Sequence, residues 1–249
     1  MKYHIDTIPV WDALRQGGEC PLCTLKSNTE KSYVDSFLGA SVMEPDIRVE
    51  VNKRGFCPHH FTMLFNAQNR LSLALMTHTY LQETKKKLEQ TSAKLCNDIA
   101  RSSSSSAALF FCKEKNNPAT EFVQYIKQHN SECVICERMQ STLNRYAYTI
   151  LHLWNTDPEF KTVLMSSRGL CLPHLATTIE IAKETLTPKK LEQWTKDILP
   201  IAVNALKLLE EELNWFTQKF DYRNQDKPWG NSKDALPRTL QKLTGKIIL

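Results

Sequence analysis

The sequence has few glycines and no long apolar segment. Seven of its 249 residues are glycine, less than half of the usual share of about 7%, and this disfavours folds rich in tight turns and β-hairpins. No apolar run reaches the ~18–20 residues of a transmembrane helix, and the first residues, MKYHIDTIPVWDAL, lack the apolar core of a secretion signal. We therefore expect a helical, cytoplasmic protein that does not associate with a membrane.

Motifs of the familiar catalytic classes are also missing. The sequence contains no P-loop, no Rossmann glycine pattern, no G-x-S-x-G and no H-E-x-x-H. It offers no convincing pair of nucleophile and base. These absences favour a binding or interaction protein over an enzyme, with a protein or a small molecule as its partner.

Cysteine is plentiful by contrast, and its spacing is regular. In a chain without a secretion signal, paired cysteines are more often metal ligands or redox centres than structural disulfides. Six of the eight cysteines fall into two matching patterns, each with C-x2-C, a long gap and then C-x2-H. The residues are Cys20, Cys23, Cys57 and His60 in the first half and Cys133, Cys136, Cys171 and His174 in the second.

These residue types are the ligands that zinc prefers. Thiolates and imidazoles bind Zn²⁺ tetrahedrally, and a C-x2-C motif directs two sulfur atoms at one ion. We therefore predict two zinc ions per chain, one bound by the first four residues and one by the second four. His60 rather than His59 is the ligand, because His60 occupies the position that matches His174.

A site with four protein ligands leaves no coordination position for a substrate water, so the expected role is structural. Two alternatives stay open. The same cysteines could serve a thiol-based redox or metal sensor, since C-x2-C can cycle between dithiol and disulfide. They could also be disulfides or buried thiols with surface histidines nearby.

The two patterns belong to an internal repeat. Cys133 follows Cys20 by 113 positions, and His174 follows His60 by 114. The flanking residues match as well: a glutamate precedes each C-x2-C, and Arg-Gly stands before each C-x2-H. The predicted division is a first repeat at residues 1–101, a Ser-rich linker at 102–117, a second repeat at 118–220 and a C-terminal tail at 221–249 that packs on the body.

Zinc binding also bears on the net charge. Each ion with three thiolates carries a net charge of −1, which would lower the chain from +5 to +3. The basic residues are scattered, and the densest run, Lys85-Lys86-Lys87, lies in an amphipathic segment. Nucleic acid is therefore not an expected partner.

Apolar spacing predicts helices in both repeats. Residues 24–38 and 139–154 follow the C-x2-C motifs, and longer helices are predicted over residues 69–100 and from Pro188 to about Phe220, with a kink or break at Pro200. The first long helix would bury a face that includes Leu71, His78 and Leu81, with His78 as a core histidine. The predicted fold class is all-α, with two duplicated zinc-stapled helical units and long amphipathic helices.

A few residues outside the repeated motifs need a separate interpretation. Cys96 and Cys112 have no counterparts in the repeat, so we expect them to be small buried residues. Near the C-terminus, Tyr222, Arg223 and Trp229 form a possible ligand or partner surface. The alternative is a strap, in which Tyr222 and Trp229 pin the tail and Arg223 pairs with a carboxylate.

The chain resembles an uncharacterised family of bacterial proteins, found mainly in anaerobic Gram-positive species. Some similar sequences are labelled ABC-transporter substrate-binding protein; such a protein needs export and two α/β lobes, and this sequence predicts neither. The resemblance covers nearly the whole chain and implies no activity, since the function of that family is unknown. It rests on the segments TIPVWDA, ECPLC, RGFCPHH, NRLSLAL, ECVICERM, RGLCLPH and FDYRNQDKPWG.

Overall fold

The computed structural model describes residues 4–67, 69–103 and 118–248. These residues form eleven α-helices and no strand, which confirms the all-α prediction. The helices are α1 (His4–Arg15), α2 (Pro21–Leu38), α3 (Pro45–Arg54), α4 (Pro58–Asn66), α5 (Arg70–Ser103), α6 (Pro118–Ser131), α7 (Val134–Thr156), α8 (Pro158–Ser166), α9 (Leu172–Thr185), α10 (Pro188–Gln218) and α11 (Ala235–Thr244). No described helix is both long and apolar enough to cross a membrane.

Helices of similar length recur in the same order in the two halves of the chain. A helix begins within each C-x2-C motif, directly after its first cysteine, and a short helix comes next. Another helix begins just after the third cysteine, and a helix of more than 30 residues ends each series. Proline stands in the first turn of α3, α4, α8 and α9. Its fixed φ suits the start of a helix, where its missing N–H costs nothing.

The chain packs as two compact units that do not follow the repeat boundaries. One unit contains Met1–Thr29 and Met139–Leu249, and the other contains Glu30–Arg138. The boundaries between them fall within α2 and α7. Each unit therefore combines a part of the first sequence half with a part of the second. The predicted division at 1–101, 102–117, 118–220 and 221–249 rests on the sequence repeat and stays a prediction, separate from these packing units.

Aromatic rings hold the core of the unit formed by residues 1–29 and 139–249. Trp154 and Trp194 pack edge to face with 5.2 Å between ring centroids, and the indole N–H of Trp154 donates a 3.0 Å hydrogen bond to Asp197. Trp11 from α1 meets Phe160 from α8 in the same geometry at 5.0 Å. Such pairs contribute about 0.5–1.5 kcal/mol each beyond their buried area.

In the unit formed by residues 30–138, the long helix α5 buries a different face from the predicted one. Leu73, Met76 and Tyr80 are buried, whereas Leu71 is 70% exposed and Leu81 is 61% exposed. The predicted core histidine, His78, is exposed as well. Leucines occur on both faces of this helix, so apolar spacing alone is compatible with two orientations.

Helix α10 continues through Pro200 without a break. Pro200 removes one backbone N–H donor from the helix, and its neighbour Leu199 is 42% exposed, so this side of the helix is open to water. Water can then bond to the carbonyl group that lacks a partner. The continuous helix shows that the predicted break at Pro200 is wrong, and the kink given as its alternative stays a prediction.

Candidate metal centres

The structure gathers the eight predicted ligands into two clusters but groups them differently from the prediction. In each cluster the four ligand atoms lie within 4.8 Å of one another, so each cluster could hold a metal ion. The C-x2-C of one sequence half meets the C-x2-H of the other, and the predicted grouping within each half is wrong. Centre A consists of Cys20, Cys23, Cys171 and His174, and centre B consists of Cys57, His60, Cys133 and Cys136.

The length of the helices explains this exchange. At a rise of 1.5 Å per residue, the 18 residues of α2 carry the chain about 27 Å away from the first C-x2-C. Helix α3, with ten residues, spans about 15 Å and is too short to return the chain to its start before Cys57. The same holds for α7 and α8 in the second half, with 23 and nine residues.

Centre A lies within the unit of residues 1–29 and 139–249, and all four of its ligands are buried. The Nδ1 atom of His174 lies 3.4 Å from the sulfur of Cys20, 3.5 Å from that of Cys23 and 3.1 Å from that of Cys171. Zn–S and Zn–N bonds of about 2.3 and 2.0–2.1 Å in a tetrahedron place neighbouring ligand atoms roughly 3.5–3.8 Å apart. The cluster is close to that size.

Centre B lies within the unit of residues 30–138 and is also built around one histidine nitrogen. The Nδ1 atom of His60 lies 3.2 Å from the sulfur of Cys57, 3.2 Å from that of Cys133 and 3.3 Å from that of Cys136. The sulfurs of Cys57 and Cys136 are 3.8 Å apart. Both centres thus use the same nitrogen, Nδ1, in the same kind of donor set.

The C-x2-H part of each centre has the same backbone geometry. Cys57 and Cys171 are the N-cap residues of α4 and α9, with φ and ψ of −69° and 164° in one case and −71° and 160° in the other. Gly55 and Gly169, two positions earlier, have φ of +65° and +68°, which a side chain would disfavour. This turn places the third cysteine of each donor set at the N-terminus of a helix.

The thiols of centre A compete for a single negative charge. Burial raises the pKa of Cys20, but hydrogen bonds with Cys171, Cys23 and His174 outweigh it, so that this pKa lies well below its usual range. Hydrogen bonding with Cys171 and Cys20, together with burial, raises the pKa of Cys23. One thiolate therefore keeps its neighbours protonated. A divalent cation removes this conflict, because it lets all three sulfurs ionise.

Centre A is covered by the C-terminal helix α11. Lys242 is 1% exposed, and its Nζ atom donates hydrogen bonds to the backbone oxygens of Glu19, at 2.7 Å, and of Arg168. The Glu19 side chain accepts hydrogen bonds from Arg168 at 2.6 Å and from Arg238 at 3.2 Å. These cations lie around the residue next to Cys20, where they would offset the negative charge of a metal–thiolate centre.

Centre B is more open, and a carboxylate lies beside it instead of a lysine. Cys136 is exposed and Cys57 is partly exposed. The Oε1 atom of Glu30 lies 3.2 Å from Nε2 of His60 and 3.0 Å from Nε2 of His59. Burial lowers the pKa of His60, and the charge of Glu30 opposes that shift. Neither Glu30 nor Lys242 stands in a motif, so neither could be identified from the sequence.

Comparison with known proteins adds a family to this geometry. The family of unknown function DUF6062 matches residues 1–248. The chain belongs to that family. It is also similar to an uncharacterised 23.9 kDa protein in the xynA 3' region of Caldicellulosiruptor sp. (strain Rt8B.4), with 23% identity over 207 residues, 82% of this chain and 84% of that protein. No solved structure matches.

The C-terminal candidates lie in neither metal centre. Tyr222 is 79% exposed, and Arg223 pairs with Asp221 across 2.5 Å. Trp229 is partly buried and packs against Phe216, with 5.8 Å between ring centroids. Trp229 thus contacts the long helix α10, whereas the side chain of Tyr222 points mostly into water.

Lys219 holds this segment in place. Its buried Nζ atom donates to three backbone oxygens, those of Asn224, Gln225 and Lys227, at 2.6, 2.7 and 2.6 Å. The ammonium group also lies 5.2 Å from the ring centre of Trp229. Lysine is rarely buried without an acceptor set of this kind, and the sequence did not single it out.

The two remaining cysteines do not extend the metal centres. Cys96 is exposed, so the expectation of a buried residue is wrong. It lies on α5, in the part of that helix that follows the exposed run of lysines. Cys112 lies outside the described residues.

A cavity of about 700 Å³ lies between α3, α5 and α6, and no ligand of either cluster lines it. Tyr80 forms one wall and stacks on His129, and its hydroxyl lies 3.0 Å from Nδ1 of that histidine. Burial, together with the nearby Tyr125 and Glu132, raises the pKa of Tyr80 to about 12. Sequence reasoning missed this cavity because its residues come from three helices, and apolar spacing does not reveal how these helices pack against one another.

Proposed function

We propose that both clusters bind zinc and that the protein is a cytoplasmic two-zinc helical module for binding a protein or small-molecule partner. The observation that carries the proposal is the complete Cys3His donor set, formed twice from ligand pairs that are far apart in the sequence. Mixed thiolate and imidazole sites of this size are typical of Zn²⁺.

The role of the ions in this proposal is structural. Four protein ligands fill a tetrahedral zinc site, so no position remains for a substrate water. In centre A the ion would link Cys23 to Cys171, which are separated by 148 positions. By analogy with a disulfide that closes a loop of this length, such a link contributes about 5 kcal/mol by restricting the unfolded chain.

Elemental analysis of paired variants tests the proposal. The wild-type protein, purified without chelator, should contain two equivalents of zinc. Cys20→Ser with Cys171→Ser should lose one equivalent, because both residues serve centre A. Cys20→Ser with Cys57→Ser should lose both. Less than one equivalent in the wild type contradicts zinc binding, and the reverse pattern contradicts the grouping of ligands.

The exposure of Cys136 favours a second candidate function, a thiol-based redox or metal sensor at centre B. In this function a peroxide oxidises Cys133 and Cys136 to one disulfide, is itself reduced to water, and zinc leaves the site. Peroxide treatment of the zinc-loaded protein, followed by metal analysis, tests it. Release of one zinc with a Cys133–Cys136 disulfide supports the sensor, and retention of both ions under these conditions contradicts it.

A further inference from the structure

A second group of metal-binding side chains lies next to centre B. The carboxylate of Glu30 and the Nε2 atoms of His59 and His60 lie close enough together to hold a metal ion. Oε1 of Glu30 is 3.0 Å from the nitrogen of His59 and 3.2 Å from that of His60. Carboxylate oxygen and imidazole nitrogen are both zinc ligands, and atoms bound to one ion lie at about these separations.

His60 belongs to both groups. Its Nδ1 atom faces the three sulfurs of centre B, while its Nε2 atom faces Glu30. The Nε2 atom is buried and has no well-aligned hydrogen bond with any described residue. Glu30 instead bonds to His59. The Nε2 atom of His60 thus faces the outer group without a well-aligned hydrogen bond, while its Nδ1 atom lies in the inner cluster.

Exposure changes stepwise across these side chains. His59 is 57% exposed, Glu30 is 22% exposed and His60 is 2% exposed. The outer group therefore reaches from water to the buried histidine of centre B. Its carboxylate also attracts cations, which could otherwise approach the thiolates only at the exposed Cys136 and the partly exposed Cys57.

Among the residues that the structure describes, centre A has no equivalent of this outer group. By the offsets of the repeat, Glu30 corresponds to Leu143 and His59 to Pro173, neither of which can bind a metal. The buried ammonium group of Lys242 lies beside centre A instead. The two centres thus share their ligands but differ in the side chains through which an ion would arrive.

We propose that Glu30 and His59 are the uptake pair of centre B, which receive a divalent zinc-type ion from solution and pass it to the four inner ligands by way of His60. This inference rests on the proposed occupancy of both centres by zinc. It makes centre B an exchangeable metal site and centre A a permanent one. The transfer needs no redox step, because Zn²⁺ expands its coordination number while one ligand replaces another.

The kinetics of zinc transfer to a chromogenic chelator test the proposal. The zinc-loaded wild-type protein should release its two ions in a fast phase and a slow phase. Cys136→Ser should remove the fast phase and thereby assign it to centre B. Glu30→Gln and His59→Gln should each slow the fast phase by about tenfold, the lower end of effects known for side chains around metal sites, and leave the slow phase unchanged.

Two matched controls come from the same unit of the chain. His78 and Glu83 are exposed residues of α5 that belong to neither metal group. His78→Gln and Glu83→Gln change the same residue types with the same loss of charge or ring, and they should leave both phases at wild-type rates. Equal slowing by these controls would show a general effect of surface charge and overturn the proposal.

Three other outcomes overturn it. If Glu30→Gln accelerates release from centre B, Glu30 clamps His60 instead of receiving the ion. If both phases are unchanged, the outer group takes no part in exchange. If the wild type binds three zinc ions, the outer group is a permanent site. Fewer than two ions in the wild type would instead contradict the proposed function, so the two failures are distinguishable.

Discussion

The sulfur atoms of Cys23 and Cys171 lie 3.5 Å apart, although 148 positions separate the two residues in the sequence. A ligand pair from the first half of the chain and a pair from the second half thus complete one centre, and centre B repeats the arrangement in reverse. Neither half contains a complete ligand set at one place. Under the proposed zinc occupancy, metal binding is coupled to the association of the two halves of the chain.

Cutting the chain between the halves should reveal this coupling. A protease site inserted between Ser103 and Pro118 would allow cleavage after folding and metal loading. The two fragments should stay together on size-exclusion chromatography while zinc is bound, because each ion holds a cysteine pair from one fragment and a Cys–His pair from the other. A chelator should weaken their association.

An insertion of the same length after Gly230, in the C-terminal segment, serves as a control, since it separates no ligand from the others. Cleavage there should leave both centres within one fragment. If the fragments cut between Ser103 and Pro118 instead elute separately, each with one zinc, the ligands are grouped within the sequence halves and the crossed arrangement is wrong.

Replacing Gly55 by alanine should destabilise the unit that carries centre B. Its φ of +65° and ψ of −155° lie in a region that is essentially restricted to glycine, which costs another residue about 1–3 kcal/mol. An added Cβ would also overlap the ring of Tyr80, which adds about 1–3 kcal/mol of overpacking. Gly17→Ala is the matched control, because Gly17 has φ of +72° and nothing within 4 Å of the added Cβ.

The two glycines share a positive φ, and only Gly55 has Tyr80 within reach of an added Cβ, so the difference between the variants includes the contact with Tyr80. Urea denaturation of the zinc-loaded proteins measures it, and Gly55→Ala should lose clearly more free energy of unfolding than Gly17→Ala. Equal losses would mean that the turn before Cys57 does not approach Tyr80 as the structure has it.

The sequence was sufficient for the properties that depend on neighbouring residues. The ligand types, their C-x2-C and C-x2-H spacing and the helices beside them are local, and α2, α7 and α10 begin within a few residues of the predicted positions. The glycine turn before Cys171 could also be predicted, because its φ of +68° is a local requirement.

The grouping of the ligands depends on packing between distant segments, which spacing does not encode. The motifs allow Cys20 to share a site with Cys57 or with Cys171. Only the direction of the helices distinguishes these two groupings. The same reason explains the wrong face of α5, where leucines such as Leu71 and Leu73 occur on both sides. Glu30 was missed because its contact with His60 is likewise non-local.

Replacing Lys219 by methionine should release the C-terminal segment. The ammonium group donates to the backbone oxygens of Asn224, Gln225 and Lys227, and methionine would leave these acceptors without that partner. Losing a buried charged donor of this kind costs about 1–3 kcal/mol. Hydrogen exchange of residues 221–230 should rise, while zinc content stays at two ions.

Lys233→Met is the control, because Lys233 is exposed and makes no hydrogen bond with a described residue. It should leave exchange in the segment unchanged. Trp229→Ala should act in the same direction as Lys219→Met, since Trp229 packs against Phe216. Unchanged exchange in both variants would show that neither side chain holds the segment.

Stability at high pH should depend on Tyr80. Burial raises the pKa of Tyr80 from 10.0 to about 12 in the folded protein. Between these two values the unfolded chain releases a proton that the folded chain retains, so the folded state binds more protons. The free energy of unfolding must then fall as the pH rises through this window, and the contribution is fully present below pH 10.

Tyr80→Phe should remove this part of the alkaline loss, because phenylalanine has no proton to release. The variant should be less stable than the wild type at neutral pH by about 0.5–1.5 kcal/mol, since it lacks the hydroxyl that meets His129 at 3.0 Å. Its stability should then decline less steeply between pH 10 and 12, and the two curves should converge.

Tyr222→Phe is the control, because its ring is 79% exposed and its replacement should leave the slope of the wild type unchanged. Urea denaturation across this pH range measures the slopes. Parallel curves for wild type and Tyr80→Phe would contradict a buried, protonated Tyr80 in the cavity wall.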